Sequence, residues 1–164
     1  MSLALPLLLQ LATVAPAEAA DAVLYVVRHA EKAAAPKDDP PLTAEGQVRA
    51  EALARTLVDV TLAGVHSTDT HRTRTTAAPT AGAKGLGVQI YDSADPAGLV
   101  TRLRAAGGSH LVVGHSNTIA ELVTAAGGDG GPAVTDVEFD RLYVVVLPSA
   151  GPPTTVRLRY GAGR

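Results

Sequence analysis

The 164-residue chain has no cysteine and no tryptophan, one phenylalanine, one methionine, and only 3% aromatic residues in all. Without cysteine there can be no disulfide, no thiolate metal site and no thiol nucleophile. Charge is also scarce and balanced: 14 Lys+Arg against 16 Asp+Glu leave a formal net charge of -2. No long-range attraction to nucleic acid or to an acidic membrane surface follows from that, so an anion site has to be assembled locally. No apolar run reaches the roughly 20 residues that cross a bilayer. Repeats of solenoid period are missing too, as is any low-complexity tract beyond a general richness in alanine.

What is present divides at about residue 20. "LALPLLLQLATVAPAEAA" offers an apolar stretch of roughly 12 residues followed by small residues, with Ala17 and Ala19 in an A-x-A pattern. The expectation is a secretory signal peptide over residues 1–20, although no basic residue precedes the apolar run and the free amine has to supply the charge. The mature chain would begin near Ala20 or Asp21 and work in the periplasm or outside the cell. The alternative is an N-terminal helix of a cytoplasmic protein. With 46% hydrophobic residues, the remainder, 21–164, suits one domain with one core.

Beyond the leader, short β-branched runs alternate with segments of helical period. Val23 to Val27 is continuously apolar, as a strand buried on both faces would be. Thr43 is placed to cap a helix in which Ala50, Leu53, Ala54 and Leu57 form one stripe. Val65 to Ser67 reads as a second strand and residues 70–85 as a helix, although Pro79 weakens the case for its later half. Val88 to Tyr91 is a third strand. Asp95 then caps a helix with Pro96 at its first position, and Leu99, Val100, Leu103 and Ala106 form a stripe ending at Gly107 and Gly108. Leu111 to Val113 is a fourth strand, followed by a helix with Ile119, Leu122, Val123 and Ala126 on one face. Leu142 to Leu147 is a fifth strand, and residues 154–160 alternate like an edge strand. The pattern predicts an α/β fold, a three-layer αβα sandwich around a mostly parallel sheet. Ligands of such folds bind outside the carboxyl ends of the strands, which is where Arg28, His29, Ser67 and His115 fall.

The polar residues expected at that edge are Arg28, His29, His115 and either Arg72 or Arg74. Two guanidiniums and two imidazoles make an anion site suited to a phosphoryl group, since each guanidinium offers a planar fork of donors. One unit charge pair at 4 Å is worth about 4 kcal/mol at an effective dielectric of 20, so several converging cations exceed any exposed arginine. A histidine between arginines is held neutral, and a neutral imidazole is a nucleophile. His29 attacking phosphorus in line would form a phosphohistidine, with the equatorial oxygens held by arginine and His115, and water would regenerate it. A general acid must protonate the leaving oxygen. Asp92 and Asp95 are preferred, and Glu121 is the other candidate.

"VVRHAEK" at 26–32, "PLTAEGQVRAEALA" at 41–54, "HSTDTHRTRTTA" at 66–77 and "VVGHSNT" at 112–118 together resemble the histidine phosphatase superfamily, the phosphoglycerate-mutase-like group of short bacterial type. All four blocks occur in the family's order and span nearly the whole chain after the leader. The resemblance implies a phosphoglycerate-mutase-like fold, His29 as the phosphorylated nucleophile, Arg28 and Arg72 as phosphate ligands, and His115 as the second pocket histidine, with Ser116 beside it among the substrate-binding residues. Arg72 is chosen over Arg74 because it matches the family's arginine block, in which Thr73 stands in the alanine place. Two departures matter: Ala30 replaces the usual glycine after the nucleophile, and the usual glutamate after the third strand has no counterpart. The long insertions of glycolytic mutases are absent as well, and an open site admits water and favours hydrolysis.

The expected activity is therefore phosphomonoester hydrolysis by a phosphatase, with a phosphorylated small molecule or phosphoprotein as substrate. No cofactor, metal or nucleic acid is expected, and the sequence leaves the oligomeric state open. The alternatives are a weak or inactive member that only binds phosphate ligands, and a phosphotransferase of mutase type. Ser116 in "GHSNT" is no serine-hydrolase nucleophile, because Thr118 replaces the last glycine of the elbow and no histidine follows residue 115. A metal site is disfavoured because arginines beside the histidines would repel a cation. His66, His71 and His110 are expected on the surface or in loops.

Overall fold

The computed structural model describes residues 21–161. The leader reading falls on residues 1–20 and lies outside them. The elements in chain order are β1 (Ala22–Arg28), α1 (Ala44–Thr56), β2 (Leu62–Ser67), α2 (His71–Ala83), β3 (Val88–Ile90), α3 (Pro96–Ala106), β4 (Gly108–Gly114), α4 (Ile119–Ala125), β5 (Arg141–Leu147) and β6 (Thr154–Arg159). They build one six-stranded sheet in the order β3-β2-β4-β1-β5-β6. The first four of these strands run parallel, while β5 is antiparallel to β1 and β6 to β5.

Helices cover both faces. Leu53 of α1 and Leu57 at its C-cap pack with Ala77 and Ala81 of α2 over Val27, Val65, Leu111 and Val113. Leu99, Val100 and Leu103 of α3 join Ile119, Leu122 and Val123 of α4 over Leu24, Val26 and Val112 on the other face. Each fully buried leucine or valine contributes about 1.5–3 kcal/mol relative to exposure, so the alternation along β1 and β4 fixes which helix lies on which face.

The expected caps are in place. Thr43 Oγ1 accepts from Gly46 N at 3.1 Å and Asp95 Oδ1 from Gly98 N at 2.8 Å. A β-carbon on Gly46 would overlap the Glu31 carbonyl, which is why α1 can lie against the segment leaving β1. The helix expected over residues 70–85 is α2, which runs through Pro79 to Ala83, so the one missing amide bond is outweighed by the packing of Ala77, Thr80 and Ala81. One expectation needs correction. Ala106 is exposed in the last turn of α3, where Gly107 at φ 64° already turns the chain towards β4.

The sheet order matters most for function. The chain leaves β1 towards β2 on one side and leaves β4 towards β5 on the other, so the crevice between these two neighbours is the topological switch point. Arg28 pairs in register with Gly114 there, and Ser67 of β2 with Val113.

Candidate active site

His29 follows β1 and His115 follows β4, and the neighbouring strand ends hold their rings 5.5 Å apart, edge to face. His29 N donates to Gly114 O at 2.8 Å, which extends the ladder to the backbone of His29. The His29 ring is buried, and its Nδ1–H donates to the Ala30 carbonyl at 2.8 Å. That bond fixes the tautomer and leaves the lone pair on Nε2. Burial lowers the His29 pKa to about 3, helped by the charges of Arg28 and Arg72 and opposed by the bond to Ala30. Burial, with Arg72 and Arg28, likewise lowers His115 to about 4. Both imidazoles are therefore neutral at pH 7.

Arg28 is nearly inaccessible, and its Nη1 donates to three carbonyls, those of Thr135 at 2.9 Å and of Asp136 and Glu138 at 3.1 Å each. Its guanidinium lies 4.2 Å from the centre of the Phe139 ring, which is itself 6.1 Å from His29. Desolvation lowers the Arg28 pKa, yet the group remains charged. Arg28 Nε and Arg72 Nε are buried and have no hydrogen-bond partner. Orphaned guanidinium donors from two elements in one pocket mark a place where an anion would satisfy them.

Arg72 lies in the first turn of α2, with Nη1 at 3.5 Å from Asp39 Oδ1, and is largely covered. Arg74 is exposed and ion-paired to Asp69. The Thr76 hydroxyl accepts from Ala30 N at 2.9 Å and donates to the Arg72 carbonyl at 2.8 Å, joining the two sides of the pocket. Thr68 Oγ1 lies 3.0 Å from both His115 Nε2 and Thr73 Oγ1, so the threonine in the alanine place supports the second histidine. Ser116 is half-buried in the turn after His115.

Asp92 Oδ1 accepts from Ala94 N at 2.8 Å, Asp95 caps α3, and Glu121 is exposed in α4. No hydrogen bond or ion pair links any of the three to Arg28, His29, Arg72 or His115. His66 and His110 are a further correction, since both are buried and paired, with Nε2 of His66 3.2 Å from Nδ1 of His110. His71 is exposed, as expected. Sequence reasoning missed Thr68, Thr76, Phe139 and the 135–138 turn. The single phenylalanine was the one available signal. Among the described residues no group of three or more His, Cys, Asp or Glu is placed to hold a metal ion, and no helix is long and apolar enough to cross a membrane.

Residues 24–95 match the family model of the histidine phosphatase superfamily (branch 1). No curated protein matches the chain. Solved structures do. The protein histidine phosphatase SixA complexed with tungstate is 20% identical with a TM-score of 0.68, over 84% of this chain and 96% of that one. A mycobacterial glucosyl-3-phosphoglycerate phosphatase is 15% identical with a TM-score of 0.67, over 87% and 100%. Phosphoglycerate mutase from Bacillus anthracis is 17% identical with a TM-score of 0.64, over 86% and 94%. At these identities the shared property is the fold, which is phosphoglycerate-mutase-like.

Proposed function

We propose that the chain, whose residues 24–95 match the family model of the histidine phosphatase superfamily (branch 1), is a phosphomonoester hydrolase working through a phosphohistidine at His29. The observation that carries this reading is the convergence of two neutral imidazoles, 5.5 Å apart, with two buried guanidinium nitrogens that lack partners.

His29 Nε2 attacks phosphorus in line with the leaving oxygen, while Arg28, Arg72 and His115 hold the equatorial oxygens as their charge redistributes. The bond from Nδ1–H to Ala30 stabilises the imidazolium that forms as phosphorus is captured. Water then cleaves the phosphorus–nitrogen bond. The fold shared with a SixA structure that holds tungstate, a tetrahedral oxyanion, is in keeping with such a pocket.

The names of the structural neighbours include a protein histidine phosphatase and a sugar-phosphate phosphatase. Phosphoproteins and phosphorylated small molecules therefore both belong in the substrate panel. We also propose export guided by residues 1–20, which N-terminal sequencing of protein recovered from the periplasm or medium would test.

The deciding assay is release of inorganic phosphate by residues 21–164 from p-nitrophenyl phosphate and from such a panel. Turnover abolished by His29→Ala is expected. Phosphate binding without turnover would replace this reading with that of a binding module, and return of the phosphoryl group to a second substrate hydroxyl would make the chain a mutase.

A further inference from the structure

The reaction needs a proton at the leaving oxygen, and of the three carboxylates chosen from sequence Asp92 and Asp95 already accept from the amides of Ala94 and Gly98. The carboxylates near the pocket's guanidiniums differ sharply in what they already do. Glu31 is paired with Arg49 at 2.7 Å. Glu138 is held by Arg141 at 2.7 Å and by Arg159 at 2.5 Å. Both oxygens of Asp39 accept from His71 N, at 2.9 and 3.0 Å, and Oδ1 also faces Arg72. Against the opposing effect of burial, the hydrogen bonds from Arg141 and Arg159 hold the Glu138 carboxyl below its ordinary value.

Asp136 is different. It is the second residue of a tight turn closed by Glu138 N donating to Thr135 O at 3.1 Å. Arg28 grips this turn by the carbonyls of residues 135, 136 and 138, buried Val134 anchors it on one side, and Phe139 rests on the Arg28 guanidinium on the other. The Asp136 carboxylate is exposed and has no hydrogen bond or ion pair of its own among the described residues. Arg28 feels its charge more strongly than that of Glu138 or Glu31. A turn fixed at Arg28 and a side chain not already engaged by an amide or a guanidinium leave this carboxyl group available to a leaving oxygen at the pocket.

We propose that Asp136 is the general acid. This assignment rests on the phosphohistidine reading above. In the first step the Nε2 lone pair of His29 forms a bond to phosphorus, the phosphorus–oxygen ester bond breaks, and its electron pair takes the Asp136 carboxyl proton, releasing the alcohol. In the second, a water oxygen bonds to phosphorus and its proton passes to the Asp136 carboxylate. The phosphorus–nitrogen pair returns to Nε2, and inorganic phosphate leaves. Arg28 thus has two duties, holding the phosphoryl oxygens and holding the acid.

The test is the leaving-group dependence of Asp136→Asn. The substitution keeps the carbonyl that Arg28 holds, and retained inhibition by tungstate reports an intact pocket. Loss on an alkyl phosphate should exceed loss on p-nitrophenyl phosphate by about 100-fold, because nitrophenolate departs without a proton. Asp136→Glu should recover part of the difference. Equal losses on both substrates, no loss, or a leaving-group-selective loss in Asp39→Asn instead would overturn the assignment while leaving His29 as nucleophile. Wild-type turnover that survives His29→Ala, or no turnover at all, would overturn the two readings together.

Discussion

The Thr76 hydroxyl accepts a hydrogen bond from the Ala30 amide at 2.9 Å, tying the loop that carries His29 to the helix that carries Arg72. Both groups are buried, so the bond has no water to replace it. Thr76→Val keeps the shape but leaves the Ala30 amide unpaired, at a cost of about 1–3 kcal/mol. Displacing His29 relative to Arg72 should lower kcat by roughly 10- to 100-fold. Chemical denaturation and steady-state rates measure the two effects separately. An unchanged rate would show that the bond serves the fold alone.

Arg28→Lys preserves charge but cannot lie flat on Phe139 or present a separate Nε–H to the pocket while another nitrogen holds the 135–138 carbonyls. The expected outcome is a fall in kcat/KM of about 100-fold or more, together with faster amide exchange and proteolysis over residues 132–140. Loss of activity with an unaltered loop would restrict Arg28 to phosphate binding.

The folded chain holds His29 neutral down to about pH 3 and His115 and His66 down to about pH 4. An unfolded histidine titrates near pH 6.5, so between these limits the unfolded chain binds more protons. Stability must then rise with pH across that window, being fully present above pH 6.5 and lost as the pH falls towards 4 and 3. Thermal midpoints measured from pH 7 to pH 4 should fall steadily. His66→Gln should flatten the slope, and ring NMR should find His29 still uncharged at pH 5.

Asp95 Oδ1 caps α3 through Gly98 N. Asp95→Ala should destabilise the fold by about 1 kcal/mol, whereas Asp95→Asn, which caps as well, should cost little. A rate loss in Asp95→Asn larger than that in Asp136→Asn would restore Asp95 as a candidate acid.

Much of this site was legible because it depends on local signals. The Thr43 and Asp95 caps, the apolar faces of α1, α3 and α4, and the histidines at the ends of β1 and β4 follow from neighbours in sequence. The contact between Arg28 and the 135–138 turn was not legible, because it spans more than a hundred residues and the segment between Gly127 and Asp140 has no period to read. His66 and His110 were misjudged for a related reason. Each looks like an isolated polar residue in its own strand, and only the parallel pairing of β2 with β4 makes them partners. Pro79 shows the reverse, a strong local signal overridden by tertiary packing.

The most direct test of the central claim is to quench the enzyme during turnover and identify the phosphorylated atom by mass spectrometry under alkaline conditions. The account predicts an acid-labile phosphoramidate on Nε2 of His29, absent from His29→Ala. A phosphoryl group on another residue, or turnover with no phosphoenzyme on the catalytic timescale, would contradict it.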